Sequence, residues 1–413
     1  MISCGNRRLR GTARDGTDMS RAPRWGTQLR ALTVGLFALG GIALPVTSAV
    51  PAQAATSGTF AYVANFTTNN VSVINSATNT VSATIPVGTS PFAVAVTPDG
   101  TSAYVANNGS NNVSVINTAT DTVTATVTVG TNPAGLAVSP DGTSVYVTNS
   151  NSANVSVIST ATNTVTATIS AGTGPFSVAI SPDGSTAYVA NLVTNNVSVI
   201  STATGTVTAT VPVGTQPVAV ALTPDGSAAY VTNQSTNNVS VINTATNTVT
   251  ATIPVGTTPQ MVAISPDGTT AYVTNLNSSS VSVINTATNT VTATIPVGAR
   301  PIGVAVSPGG TRVYAVNEFD GTVSVINTAT DTVTATIPVG PRPFGATATR
   351  VPVVATASCP SGHVVTGGGY QQSGGAVPPV ETTTRPVGNT WQVLADNQST
   401  NYTNVTPYAV CAP

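Results

Sequence analysis

Five aspartates, Asp99, Asp141, Asp183, Asp225 and Asp267, recur at a constant step along the chain. Carboxylates can work as general acids and bases or as ligands of a hard cation. Each of these, however, stands in a Pro-Asp-Gly tripeptide. Pro presets φ for a turn and Gly takes the left-handed position after it. Five identical turns are therefore read as one repeated backbone requirement, without a chemical role.

The other reactive types are scarce. His363 is the one histidine, no lysine occurs, and the cysteines are Cys4, Cys359 and Cys411. Residues 55–351 thus hold no His, Cys or Lys. Histidine-based nucleophile pairs and Cys/His zinc sites are excluded there. The run of glycines at 367–369 follows no phosphate-loop pattern. No catalytic residue, metal site or cofactor is expected.

Charge narrows the partners. Seven of the twelve basic residues lie between Arg7 and Arg30; from Ala55 onward five arginines face eleven acidic residues, a net −6. Phosphate backbones are held by clustered Lys and Arg, so no nucleic-acid partner is expected. The early arginines precede an apolar run from Ala31 to Val46 and then Ala52-Gln53-Ala54. That is the order of a secretory signal and its cleavage site, so residues 1–54 are read as a signal peptide, with Met19 an alternative start. Glycines and a proline interrupt the run, which argues against a membrane anchor, and no stable membrane insertion is expected. The mature protein is expected outside the cell, free or associated with the envelope.

The elements that carry these residues follow from a repeat. Tyr-Val-(Ala/Thr)-Asn begins at Tyr62, Tyr104, Tyr146, Tyr188, Tyr230 and Tyr272, and Tyr-Ala-Val-Asn at Tyr314, each interval being 42 residues. Val-Ser-Val-Ile keeps the same step from Val71 to Val323, and prolines recur from Pro91 to Pro343. A period near 40–45 with four short β-runs per unit is a propeller signature. In one unit the runs are Phe92–Val96, Ala103–Ala106, Val113–Ile116 and Val123–Val129. Between the third and fourth runs stand Asn79, Asp121, Asn163, Gly205, Asn247, Asn289 and Asp331, all tolerant of positive φ. Prolines in the fourth run, such as Pro86 and Pro212, mark it as an unpaired outer edge. The first unit lacks its leading strand, and the segment after Pro343 matches the missing one. The expected fold is all-β: a seven-bladed β-propeller over 55–351, closed by a C-terminal strand that completes the first blade, plus a small β module over 352–413.

With Tyr-Val-Thr-Asn, Ser-Pro-Asp-Gly and Val-Ser-Val-Ile-Asn in fixed order, the chain resembles the YVTN-family β-propeller repeat proteins over nearly the whole array. The resemblance implies a ring of about seven blades, often exported or on the cell surface, and mostly binding or surface proteins. It supplies no catalytic set. The unit after Pro301 departs most, having Ser307-Pro308-Gly309-Gly310. The tail, with Cys-Pro-Ser-Gly, Gly-Gly-Gly-Tyr and Tyr-Ala-Val-Cys, resembles a small module found on some secreted bacterial proteins. Cys359 and Cys411 are the cysteines left after signal removal, and under oxidising conditions they are expected to pair.

Amid this uniformity the loops after Asn65, Asn107, Asn149, Asn191, Asn233, Asn275 and Asn317 vary. They are expected on one rim together with the inter-blade connections. That rim would gather Phe66, Leu192, Leu276 and Phe319 beside Arg300, Glu318, Asp320 and Arg342. The charged group reads either as a surface ion-pair cluster or as a ligand or metal contact. Loops on a rigid scaffold carry recognition. A non-catalytic binding protein for an extracellular protein or envelope component is favoured, expected to act as a monomer. A structural envelope or surface-layer component and a lactonase-like hydrolase are the alternatives.

Overall fold

The computed structural model describes residues 58–351 continuously and, beyond them, the strands Val353–Ser358, Val364–Ser373, Thr382–Val387, Thr390–Ala395 and Asn404–Ala412. The segment expected to be a signal peptide, His363 and Cys359 lie outside the described residues, as does the side chain of Cys411, and with them the expected disulfide.

Residues 58–351 form seven four-stranded antiparallel sheets. We number them as blades. Blade 1 comprises Pro343–Val351, Gly58–Asn65, Asn70–Asn75 and Thr80–Pro86, from the inner strand outward. Blades 2 to 7 occupy 91–128, 133–170, 175–212, 217–254, 259–296 and 301–338. Blade 1 alone takes its inner strand from the far end of the array, with Phe60 opposite Thr349 and Tyr62 opposite Thr347. The ring is thus closed by β-pairing, as the sequence led us to expect.

Burial follows strand position. The second and third strands are Val- and Ala-rich and buried along nearly their whole length, because neighbouring blades cover both faces. The outer strand alternates and is mostly exposed, with Thr outward and an Ile or Val anchor near its end. The core consequently lies between blades. Tyr62, Val71, Val73 and Ile85 of blade 1 pack with Val94, Ala103, Val105 and Ile116 of blade 2, and comparable clusters join the other neighbours. A fully buried Ile such as Ile116 (0% exposed) contributes roughly 1.5–3 kcal/mol over an exposed one.

Each polar residue of the Tyr-Val-Thr-Asn motif has a distinct job. Tyr104 Oη donates to Asn163 Oδ1 of the next blade (2.9 Å), and Tyr230 Oη to Asn289 Oδ1 (2.7 Å). Thr148 and Thr274 donate to inner-strand carbonyls of the following blade, at Phe176 (3.0 Å) and Ile302 (2.6 Å). Asn107, fully buried, donates to Ser114 Oγ (2.9 Å) and Asn112 Oδ1 (2.8 Å) within its own blade. Two of the three polar positions therefore join blades, and one rigidifies a blade. The turn residue that tolerates positive φ (Asn163 at +52°, Asn289 at +54°) is also the acceptor for a neighbour's tyrosine.

Among the described residues no helix occurs. In the tail, Thr390–Ala395 pairs with both Val353–Ser358 and Thr382–Val387, and Val364–Ser373 pairs with Asn404–Ala412.

Candidate functional site

The rim formed by the variable loops is built from three recurring positions. The first is the residue before each repeat proline, in the connection entering a blade. It takes positive φ, from Ser90 at +54° to Arg300 at +55° and Arg342 at +50°. Its carbonyl accepts from the first loop residue of the same blade: Arg342 O from Phe66 N (3.0 Å), Gly174 O from Leu192 N (2.8 Å), Thr258 O from Leu276 N (3.0 Å) and Arg300 O from Glu318 N (2.9 Å). Connection and loop therefore share one rim, and the loop residue is the second position.

The third position follows the proline. In blade 2, Pro91 pairs with Asn107 and Ala93 with Ala106, which leaves Phe92 unpaired as a bulge. Phe176 bulges in the same way in blade 4, and Phe344 lies in the shifted register of blade 1. A bulge re-aims a side chain at the end of a strand. Here it sends three phenylalanines from inner strands to the mouth of the ring. Phe92 and Phe344 lie 4.6 Å apart by ring centroid, and Phe92 meets Phe176 edge-on at 5.4 Å. Blades 2 and 4 are not neighbours; their rings meet because blade 3 presents only Ala134. Phe66 joins from its loop, 5.2 Å from Phe344 and 6.4 Å from Phe92.

Beside these rings lies the charged group. Glu318 is 5% exposed. Its Oε2 accepts from Arg300 Nε at 2.9 Å and its Oε1 from Arg342 Nε at 2.7 Å. The Arg342 guanidinium also lies over Phe66 (5.3 Å) and Phe344 (5.9 Å). This is no ordinary surface pair: a buried carboxylate needs compensation, and two arginines from adjacent blades provide it.

Phe66, Arg300, Glu318 and Arg342 are thus brought together. Asp320 Oδ2 accepts from Ala299 N at 2.6 Å, a place taken by Ser110 toward Thr89 N in blade 2, so Asp320 is a loop clip. Phe319 is 74% exposed at the tip of the same loop. Leu192 and Leu276 are half-buried on the same rim, on blades 4 and 6. Phe92, Phe176 and Phe344 were not singled out from sequence, because they sit inside predicted strands. A signal was present: the residue after the repeat proline is Phe, Ala, Phe, Val, Gln, Ile and Phe at 92, 134, 176, 218, 260, 302 and 344.

The opposite rim carries the aspartates. Asp183 accepts from Ser181 Oγ (2.5 Å), Ser185 N (3.0 Å) and Ser185 Oγ (2.8 Å). These bonds, led by Ser181, lower its pKa to about 2. Its counterparts Asp141, Asp225 and Asp267 are lowered by the same set, led by Ser139, Thr223 and Ser265. Carboxylates held this firmly in the anionic form are poor general acids, which fits their role as turn formers. Asp121 and Asp331 are shifted upward by burial.

Residues 25–143 match the family model of YNCE-like β-propellers, and residues 160–294 that of seven-bladed β-propeller lactonases. Seven blades of the Tyr-Val-Thr-Asn repeat agree with both. The chain is a YVTN-like β-propeller. No curated protein matches it. Among solved structures the YVTN-like propeller is similar to Kuenenia stuttgartiensis hydrazine synthase (24% identity, TM-score 0.58, covering 64% of this chain and 92% of that one). It is also similar to a protein of unknown function from Desulfotomaculum acetoxidans (20%, 0.62, 70% and 98%). A third is a candidate 6-phosphogluconolactonase from Bacteroides fragilis (18%, 0.60, 71% and 98%). At these identities the likeness concerns the propeller fold. The charged clasp at residues 300, 318 and 342 lies outside both matched segments.

Proposed function

We propose that this YVTN-like propeller is an exported, non-catalytic binding protein whose recognition surface is the variable-loop rim at blades 7, 1, 2 and 4. One observation carries the reading: four phenylalanine rings converge at the mouth beside a buried glutamate held by two arginines. Partly exposed aromatic rings with adjacent fixed charge are the composition of a recognition patch. Among the described residues the opposite rim, with its satisfied turn aspartates, gathers no comparable cluster of aromatic rings and fixed charge.

The test is capture from envelope extract and culture medium by the immobilised protein. A variant combining Phe66→Ala, Phe319→Ala and Arg342→Gln should lose its partner, while Asp183→Asn on the opposite rim should retain it. Equal recovery by all three proteins would remove the rim from consideration.

The match to lactonases supports a second reading, hydrolysis of a lactone. A groove of about 570 Å³ between blades 5 and 6, lined by Asp225, Tyr230, Asp267 and Thr286, lies within the matched segment. Against it, the Asp225 and Asp267 carboxylates are already engaged by Thr223 and Ser265. A lactone-hydrolysis screen with and without divalent metal decides this: turnover abolished by Asp225→Asn with Asp267→Asn would establish it.

A further inference from the structure

Two features of the Glu318 clasp say what kind of ligand the rim should take. Glu318 engages only the Nε–H of Arg300 and of Arg342. Among the described residues the Nη groups of both have no protein acceptor, and the two side chains are 51% and 55% exposed. Both arginines are also pinned at the backbone, through Arg300 O to Glu318 N and Arg342 O to Phe66 N. Long side chains that would otherwise sample many rotamers are thus held in place, with unengaged N–H donors facing solvent. A guanidinium edge offers two parallel donors that match a carboxylate.

The surroundings set the rest of the ligand. Phe66, Phe92 and Phe344 are half-buried, so part of each ring remains accessible, and Arg342 already stacks on two of them. On this rim the charged residues of the described chain are Arg300, Arg342, Glu318 and Asp320. Glu318 cancels one of the two positive charges, and Asp320 stands just outside the clasp on Ala299 N. So weak a residual field suits a monoanion and disfavours a dianion such as a phosphate monoester.

We infer that the mouth binds a monocarboxylate carried on an aromatic or similarly flat apolar body, its carboxylate on the free guanidinium edges of Arg300 and Arg342 and its body on the phenylalanine rings. Glu318 is the positioning residue that holds both donors in place. This inference rests on the rim reading above and names its ligand class.

The experiment is calorimetric titration of the mature protein with 3-phenylpropionate, 3-phenylpropionamide, acetate and phenyl phosphate. Phenylpropionate should bind at least tenfold more tightly than the other three. Arg342→Gln should weaken it at least tenfold, and Arg342→Lys, which keeps the charge but loses the fork, at least threefold. Glu318→Gln is the sharpest arm: it adds a net positive charge, yet it should weaken binding by freeing the arginines. Thermal midpoints confirm that each variant is folded. Equal affinity for acid and amide, or tighter binding by Glu318→Gln, would overturn the inference. If phenylpropionate fails to bind while the rim variants still lose their partner in the capture experiment, the ligand class is wrong and the rim reading stands.

Discussion

The backbone N–H of Gly340 donates to Oδ1 of Asn65 at 3.2 Å, across 275 residues of chain. It joins the last connection of the array to the first Tyr-Val-Ala-Asn motif, at the seam where the inner strand of blade 1 arrives. A Cβ added at Gly340 would meet Asn65 Cγ at 2.7 Å and Thr68 Oγ1 at 2.8 Å. Gly340→Ala should therefore lower stability by about 1–3 kcal/mol through overpacking. Gly309, where an added Cβ meets nothing within 4 Å, is the control, and Gly309→Ala should stay within about 0.5 kcal/mol. Urea midpoints of the two variants check the contrast; equal midpoints would refute the seam argument.

Glu318 should make the two arginines non-additive. With either Arg300→Gln or Arg342→Gln alone, one guanidinium still faces the carboxylate and the loss should be about 1 kcal/mol or less. The double variant leaves a buried carboxylate uncompensated and should cost about 3 kcal/mol or more. Adding Glu318→Gln should recover most of that loss. Chemical denaturation of the set measures the coupling, and simple additivity would show that Glu318 is solvated after all.

Acid should weaken the ring through its turn aspartates. The folded pKa of Asp183 lies near 2, held down first by Ser181 Oγ, below the usual value for an unfolded chain of about 3.9. The native state therefore binds fewer protons than the unfolded state in this window. The stabilisation is complete above about pH 4 and is lost as pH falls toward 2. Asp141, Asp225 and Asp267 shift the same way. Replacing all four by Asn, which keeps the turn acceptor, should flatten the pH dependence of the urea midpoint between pH 2 and 5. Superimposable curves would count against these turns as the acid-labile elements.

Asp121 and Asp331 should behave in the opposite sense. Burial raises their pKa values, so their ionisation opposes folding at neutral pH and protonation relieves it as pH falls. Tyr272 is pushed up to about 12, by burial first and by Asp331 next. Asn163 and Asn289 serve the same turn and accept from a neighbour's tyrosine. Asp121→Asn with Asp331→Asn should therefore raise the thermal midpoint at pH 7 by a degree or two, and by less at pH 4. An unchanged midpoint at pH 7 would contradict the burial cost.

Trypsin should leave residues 58–351 uncut under native conditions. Arg300 and Arg342 precede proline. Arg312 opens a paired strand opposite Asn327, and its Nη1 donates to Ser76 O of blade 1. Arg350 is paired with Thr59 inside the closing strand. Peptide mapping that finds cleavage after Arg312 or Arg350 without denaturant would show that the seam opens locally.

Arg350 also shows where sequence reading stops. The repeat ends just before it and the composition changes just after, which gives no sign of how far the closing strand stays paired. The strand runs on to Val351, because backbone pairing with Gly58 and Thr59 continues past the repeat boundary. The ring itself was legible because its signals are local and repeated: an Asx or Gly at one turn of all seven units, Pro-Asp-Gly at the other turn in five, and proline on the outer edge in five. The loop residues Phe66 and Glu318 were legible as rim positions because they vary where their neighbours do not. The burial of Glu318 was not, since it depends on two arginines, one of them from the adjoining blade. The Phe92 and Phe176 contact was hidden for a similar reason: alternation cannot reveal a bulge, and the two residues meet only because Ala134 between them is small.

The constant 42-residue step makes the clasp portable. Residues 84 positions before Arg300, Glu318 and Arg342 are Gln216, Gln234 and Thr258, which occupy the same places two blades away. All three already sit in the required backbone, with Gln216 at φ +56° and Thr258 at +58°, and Gln234 N bonded to Gln216 O at 3.0 Å. Gln216→Arg, Gln234→Glu and Thr258→Arg would copy the clasp onto blades 5 and 6 without a change of loop length. One molecule would then display two guanidinium pairs at a fixed angle about its axis, like marks on a dial. The angular address of the site on this ring is set by which copy carries the three residues, and it can be rewritten three residues at a time.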